Sequence, residues 1–519
     1  VADDEHTDLH AIEDLDIGVP TGGERSRGGQ SLSTELVALA REQYHVIRGS
    51  DAQTYAVAKT NPGIAIPLRG SRDGLRQQLA AAYFDQRGRA ATAVALADML
   101  NVVEGDALRA DPVPVDLRVA ARDGALYIDR ATPKASAIRV TSTGWEITGN
   151  PPVIFRRTAL SAPLPEPARG GSLAPFRALL NVDDAGFRLL IGWLLAAYLP
   201  GIPHPILALL GQQGTAKTTA LRLLLSLLDP STAPVRTPPT DPAAWAVTAA
   251  HSWAVGLDNV STLAAWLQDA LCKAVTGDGI VRRALYSDND VSVLAFRRVL
   301  ALTSIDPGSL QGDVADRMLT VELDPIRKDQ RRTDRAVFAA FERIWAQTLG
   351  AVLDLLSSVL AALPAVQLAE HPRMADFARV LAALDQVTGW TTLPDYLHTA
   401  EATAMSVIEG DAFISAVLDL AERDVIWTGT AGELLAAITP ERPPRGWPTS
   451  PQKVGGLLKR STPALALAGV QVEERARQHG GRRGYVVTTI RTTSRSGPHL
   501  RDQPAHGCQR SLRTFDELP

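Results

Sequence analysis

At 519 residues the chain is too long for one hydrophobic core, and roughly two to four domains are expected. With 45% hydrophobic and 21% charged residues it is not a disordered or fibrous protein, and its net charge of −4 excludes a generally basic nucleic-acid coat. Its two cysteines, Cys272 and Cys508, are too far apart to form a disulfide framework and suit a reducing compartment.

Residues 1–32 are acidic, then rich in glycine and arginine, with little to bury, and are expected to be a disordered tail. The first sixteen residues hold seven acids and no lysine or arginine, unlike a secretory leader. The apolar run from Phe187 to Leu199 is interrupted by Arg188 and Gly192 and stopped by Pro200, so no membrane span is expected and the cytoplasm is the default location.

Residues 33–160 mix helical stretches such as "DGLRQQLAAAYF" with short strands and predict an α+β domain whose role no motif reveals. "LRVAARDGALYID" predicts a hairpin, because Asp123-Gly124 supplies the positive φ angles of a tight turn. "AIRVTSTGWEIT" and "PVIFRRT" add strands, and the proline-rich "LSAPLPEPARGGS" makes a linker. From Leu173 to Leu199 the pattern is helical.

"LALLGQQGTAKTTALRLLL" follows the phosphate-loop pattern: Gly211, four residues, the small Ala216, then Lys217 and Thr218. Backbone N–H groups must curl around a phosphate with little side chain in the way, so the candidate nucleotide-binding residues are Gly211, Gly214, Thr215, Ala216, Lys217, Thr218 and Thr219. In this pattern the lysine reaches the β and γ oxygens of ATP and the threonine hydroxyl ligates Mg²⁺. The flanks predict a buried strand before the loop and a buried helix after it, which places the phosphate at a helix N-terminus. "SWAVGLDNVS" predicts a strand ending in Asp258-Asn259, where an acid meets the Mg²⁺ shell. "RRVLALTSID" predicts another, with a polar end at Thr303-Ser304. "GDVADRMLTVEL" sets Arg317 before a further strand, where a salt-bridged surface role is the alternative to a site role.

That order resembles the AAA+ helicase core of phage, plasmid and mobile-element primase-helicases, related to superfamily 3 helicases, from about Leu173 to Leu323. Its most specific part is "TGDGIVRRALYSDNDVSVLAF", with Thr276-Gly277-Asp278 followed by Arg283, Leu285 and Tyr286. The resemblance implies an α/β fold with a five-stranded parallel sheet and a P-loop ATPase core over 173–330. It also implies a ring, with a hexamer favoured, that moves on single-stranded DNA using ATP and Mg²⁺. Lys217 then contacts phosphate, Thr218 and Asp258 hold the metal, Ser304 is the sensor, and Arg317 reaches the neighbouring subunit's ATP.

Three positions depart from the pattern. Asn259 stands where a second acid is usual and cannot serve as a carboxylate base. Ser304 replaces the sensor asparagine. The hairpin turn "SDND", 287–290, is acidic where the family carries a lysine or histidine, which leaves phosphate contact to the flanking Arg282, Arg283, Arg297 and Arg298.

Residues 331–423 read as helical and 424–490 as mixed. "TAGELLAAI", "SPQKVGGLLKRST" and "VQVEERARQHGGRRGYVVTTI" resemble a winged helix, with Lys453 and Lys459 on a helix and Arg475, Arg477, Arg482 and Arg483 on the wing as candidate duplex-DNA contacts. A merely solvated basic hairpin is the alternative. The tail 491–519 lacks periodicity and is expected to be disordered. A DNA-stimulated ATPase or helicase is the first functional reading, an ATP-gated initiator or loader the second, and a nucleoside kinase a third with no lid or base site to support it. A primase or another replisome component is an expected partner.

Overall fold

The computed structural model describes residues 31–70, 74–277, 279–283, 291–305, 312–444, 447–475 and 484–489. Residues 1–30 and 491–519 of the expected tails, Asp278, the hairpin turn 287–290 and the wing residues Arg477, Arg482 and Arg483 lie outside the described residues, whereas Ser31 and Leu32, expected in the N-terminal tail, start a helix. The chain forms two compact units, the first comprising 1–260, 269–305 and 321–395 and the second 261–268, 306–320 and 396–519.

The first unit begins with the helix Leu32–Gln43, started by Ser31, whose hydroxyl accepts the Thr34 N–H. The helices Leu75–Arg87 and Ala93–Leu108 join it around Leu36, Leu79, Met99 and Val103. A five-stranded sheet follows in the order Pro112–Val113, Tyr44–Gly49, Thr54–Ala58, Ile64–Pro67, Phe155–Arg156. A separate antiparallel sheet consists of Val119–Arg122, Ala125–Asp129, Ala137–Thr141 and Gly144–Thr148. Its first turn is the predicted one: Asp123 and Gly124 have φ of 52° and 75°, the left-handed values that a two-residue hairpin loop needs.

A second five-stranded sheet carries the candidate site. Its order is Val235–Arg236, Ala254–Leu257, Val299–Thr303, Ile206–Leu210, Met318–Glu322, and the first four strands are parallel to one another. Ala254–Leu257 and Val299–Thr303 are buried throughout, as strands of a parallel sheet covered on both faces must be. Between Ile206–Leu210 and the next strand runs the helix Lys217–Leu228. It is apolar on most sides and buries Leu221, Leu223, Leu224, Leu225, Leu227 and Leu228.

A buried ion pair fixes the far end of this helix. Arg118 Nε donates to Asp229 Oδ1 at 2.8 Å, and the other guanidinium nitrogens donate to the carbonyls of Asp129, Ala162 and Pro230. Asp229 Oδ2 accepts the backbone N–H groups of Trp253 and Ala254, both at 3.0 Å. With so many of its donors and acceptors matched, the pair tolerates burial, while losing either partner would strand a charge at a cost of about 3–5 kcal/mol.

The longest helix, Asp334–Ala362, is long and apolar enough to cross a membrane by length and composition. Its face formed by Leu349, Val352, Leu353, Leu356 and Val359 is instead buried within this unit. Trp145 Nε1 donates to Asp354 Oδ1 at 2.7 Å, and Ser357 Oγ donates to the Thr141 carbonyl at 2.7 Å, so the helix is pinned to the Ala137–Thr148 hairpin.

In the second unit, the helices Ala412–Arg423, Ala431–Ile438 and Pro451–Leu467 pack around Val417, Leu434, Val454 and Leu458. A three-stranded antiparallel sheet in the order Ile426–Thr430, Gly484–Thr489, Val470–Arg475 closes that core with Val470, Tyr485 and Val487. Thr430 and Glu433 form a reciprocal capping box, and Ser450 caps the Pro451 helix, whose proline occupies the first turn where no N–H is needed.

Candidate nucleotide site

The turn between Leu210 and Lys217 depends on residues in the left-handed region. Gly211 and Gly214 have φ of 142° and 84°. A Cβ on Gly211 would lie 2.8 Å from the Leu323 carbonyl oxygen, so only glycine fits there. Ala216, at φ 65°, holds the conformation in which glycine is usual, at a cost of roughly 1–2 kcal/mol. Thr215 is buried and its hydroxyl donates to the Gln212 carbonyl at 3.0 Å, which closes the turn on itself.

Lys217 opens the helix. Its ammonium donates to the Gly211 and Gln212 carbonyls at 2.7 and 2.8 Å, which uses two of its three N–H groups and holds the charge at the crown of the turn. Burial lowers its pKa below the usual lysine value, partly offset by the Asp258 carboxylate. The N–H groups of the first helical turn have no carbonyl behind them, so cation and helix end present one positive surface.

Asp258 follows the buried Ala254–Leu257 strand and stands half-buried. Its Oδ1 accepts the Thr218 hydroxyl at 2.8 Å and the Thr303 hydroxyl at 2.7 Å. Three elements thus meet at one carboxylate oxygen. A hydroxyl and a carboxylate are hard oxygen donors of the kind Mg²⁺ takes when phosphates and water complete its shell, so Thr218 and Asp258 fit that ion. Thr219, the next residue, donates to Asp334 Oδ1 at 3.2 Å and faces the long helix.

The polar strand end is placed one residue from where it was expected. Ser304 is buried and its hydroxyl donates to the Val260 carbonyl at 2.7 Å. It is Thr303 that reaches Asp258, and its hydroxyl also accepts the Asn259 N–H at 2.8 Å. Successive strand residues point to opposite faces, so a displacement of one position decides which of the two meets the site. Asn259 is exposed at φ 55°, a left-handed value that asparagine tolerates.

The remaining expected residues are dispersed. Arg317 belongs to the second unit, half-buried, with its N–H donating to the Val314 carbonyl at 3.0 Å. Arg282 and Arg283 lie on the strand Gly279–Arg283, paired antiparallel with Ser292 and Val291. Arg297 and Arg298 do not serve as free cations. Arg297 donates to the Pro200 and Thr276 carbonyls at 3.1 Å each, and Arg298 to those of Ala249 and Arg297. Burial, reinforced by Arg156, pulls Arg298 down to about 9. In the second unit Lys453, Lys459 and Arg475 are exposed. Gln452, Lys459, Glu474 and Tyr485 line a concavity of about 910 Å³ between the Pro451 helix and the sheet.

Residues 177–403 match the family described as "Actinomycete integrative conjugative element replication protein", and residues 413–503 match "AICE RepA C-terminal domain". No curated protein matches the chain. Among solved structures it is similar to the apo NrS-1 C-terminal region (305–718) at 12% identity and TM-score 0.38, over 89% of this chain and 100% of that one. It is also similar to a JCV helicase at 13% identity and TM-score 0.22, over 45% and 72% of the two chains. A putative ATPase from Cytophaga hutchinsonii is similar at 13% identity and TM-score 0.23, over 36% and 62%.

Proposed function

We infer that this chain, a replication protein of the actinomycete integrative conjugative element RepA family by two matched regions that together exceed half its length, is a DNA-stimulated ATPase acting as a helicase in replication of such an element. The observation that carries the reading is the meeting at Asp258. Thr218 from the helix behind the Lys217 turn and Thr303 from the neighbouring strand both donate to the same carboxylate oxygen. In this reading Gly211, Gly214, Thr215 and Ala216 shape a P-loop, Lys217 contacts the phosphates of ATP, and Thr218 and Asp258 hold Mg²⁺. The metal, when bound, neutralises phosphate charge. Thr303 keeps Asp258 oriented, and through the Asn259 N–H it ties that carboxylate to the loop that follows.

The assembly belongs to the same proposal: a ring, hexameric, in the cytoplasm, with single-stranded DNA through its centre near Arg282 and Arg283. Arg317 serves a neighbouring subunit's ATP. The region 424–490 acts as a winged helix that binds duplex DNA through Lys453, Lys459, Arg475, Arg477, Arg482 and Arg483. A primase or other replisome component docks on the N-terminal region.

A second reading, an ATP-gated initiator or loader with little turnover, is favoured by Asn259. Asn259, next to Asp258 in the sequence, has no carboxylate with which to take a proton from water.

Steady-state ATPase with and without single-stranded DNA separates the two. The helicase reading expects stimulation by DNA, and at least about a 100-fold loss in Lys217→Ala, which removes a preorganised charge. Tight ATP binding with no DNA-stimulated turnover would favour the loader. Unchanged ATPase in a folded Lys217→Ala protein would remove the nucleotide site altogether.

A further inference from the structure

The segment between the last sheet strand and the long helix, residues 323–333, contains Arg327, Lys328, Arg331 and Arg332, and no motif marks it. Both of its ends are tied to the candidate site. At its start, the Leu323 N–H donates to the Leu210 carbonyl at 2.8 Å, just before the turn. Beyond its end, Asp334 accepts the Thr219 hydroxyl at 3.2 Å, one helical residue past Thr218. The segment therefore begins and ends beside the turn that holds Lys217.

Arg331 is the residue that comes closest. A Cβ built on Gly214 would lie 3.6 Å from Arg331 Nη2, so the guanidinium stands beside the crown of the turn, next to a residue with no side chain of its own. Arg331 is exposed, and among the described residues no carboxylate or carbonyl takes its hydrogen bonds. Arg327, on the same segment, is instead paired with Asp329 at 3.2 Å.

We propose that Arg331 is a phosphate-contact residue acting within its own chain, its guanidinium binding the terminal phosphate of a nucleoside triphosphate held by the Gly211–Lys217 turn. The proposal rests on the nucleotide reading above. Lys217 already gives two N–H groups to the turn and keeps one for phosphate. A terminal phosphate has three non-bridging oxygens, so one ammonium donor leaves much of it unmatched. A planar guanidinium can bind two of those oxygens at once, which an ammonium cannot do.

The test is equilibrium binding of Mg²⁺ with either a non-hydrolysable β,γ-imido ATP analogue or ADP, by titration calorimetry on the full chain. Arg331→Ala should weaken the triphosphate at least about tenfold, the loss of one charge-assisted contact, and ADP less than about threefold. Arg331→Lys should fall between, and Arg332→Ala should match the parent. The side chain is exposed, so a parental thermal midpoint verifies folding. Three results would overturn the proposal: parental triphosphate affinity in Arg331→Ala, equal losses for ATP analogue and ADP, or an equal loss in Arg332→Ala, which would indicate only a diffuse positive field. Lys217→Ala tells the two levels apart. If it abolishes binding while Arg331→Ala is parental, only Arg331 loses its role. If the parent binds neither nucleotide, both readings fall.

Discussion

At Asp258 a single oxygen accepts two hydroxyls, and only one of the donors was legible in the sequence. Thr218 follows Lys217 in a fixed pattern, so spacing identifies it. Thr303 and Ser304 are both polar at the end of a buried strand, and the facing of each depends on strand register, which local sequence does not carry. Arg331 was not legible because the segment around it has no periodicity and reaches the turn only through tertiary ties. A different residue-scale consequence concerns His204, which is fully buried with Nε2 3.0 Å from the Leu199 carbonyl. Burial pulls its pKa down to about 4. An unfolded histidine binds its proton near pH 6.5, so between about 6.5 and 4 the unfolded chain holds more protons and His204 costs stability as pH falls. Asp116 has the opposite sign: burial raises it to about 6, so it adds stability as pH falls through that value, and the parent's own pH curve mixes the two. The informative quantity is the difference in thermal midpoint between His204→Gln and the parent. It should move in the variant's favour as pH drops from 6.5 toward 4, and a pH-independent difference would show that His204 does not titrate this way.

At the scale of elements, the parallel sheet was largely legible. Uninterrupted apolar runs such as "ILALL" and "AVGL" mark strands covered on both faces, and the polar residues ending them mark the edge where loops gather. The Asp123-Gly124 hairpin was legible for a local reason, since few residues accept two successive positive φ values. The commitments of Arg297 and Arg298 were not, because their acceptors are backbone carbonyls contributed by distant segments. In the C-terminal unit, the exposed Lys453, Lys459 and Arg475 share a fold with the strands that lead into Arg482 and Arg483. If that hairpin binds duplex DNA, reversing Arg482 and Arg483 to Glu should weaken binding and flatten its dependence on salt, because each lost phosphate contact releases about one fewer counterion. ATPase measured without DNA should be retained. An unaltered salt slope in a fluorescence-anisotropy titration would return the hairpin to a solvated role.

At the scale of the whole molecule, a ring of identical subunits repeats one heterologous interface, so an arginine on one face can complete the pocket on the next. Arg317→Ala should bind ATP almost as the parent does and lose about 10³-fold or more in turnover, the range expected of an arginine finger. Mixing it with Lys217→Ala should restore part of the activity, because some interfaces then pair an intact pocket with an intact arginine. Absence of recovery between subunits shown to exchange would make Arg317 structural. Sequence alone left the N-terminal region without a role, and the Asp334–Ala362 helix changes what can be asked of it. One end is tied to Thr219 beside the Gly211–Lys217 turn, and Asp354 and Ser357 tie its distant turns to the Ala137–Thr148 hairpin. At 1.5 Å per residue the two anchor points are about 30 Å apart along a stiff rod. The helix is thus one continuous strut that sets the distance between the Gly211–Lys217 turn and the Ala137–Thr148 hairpin.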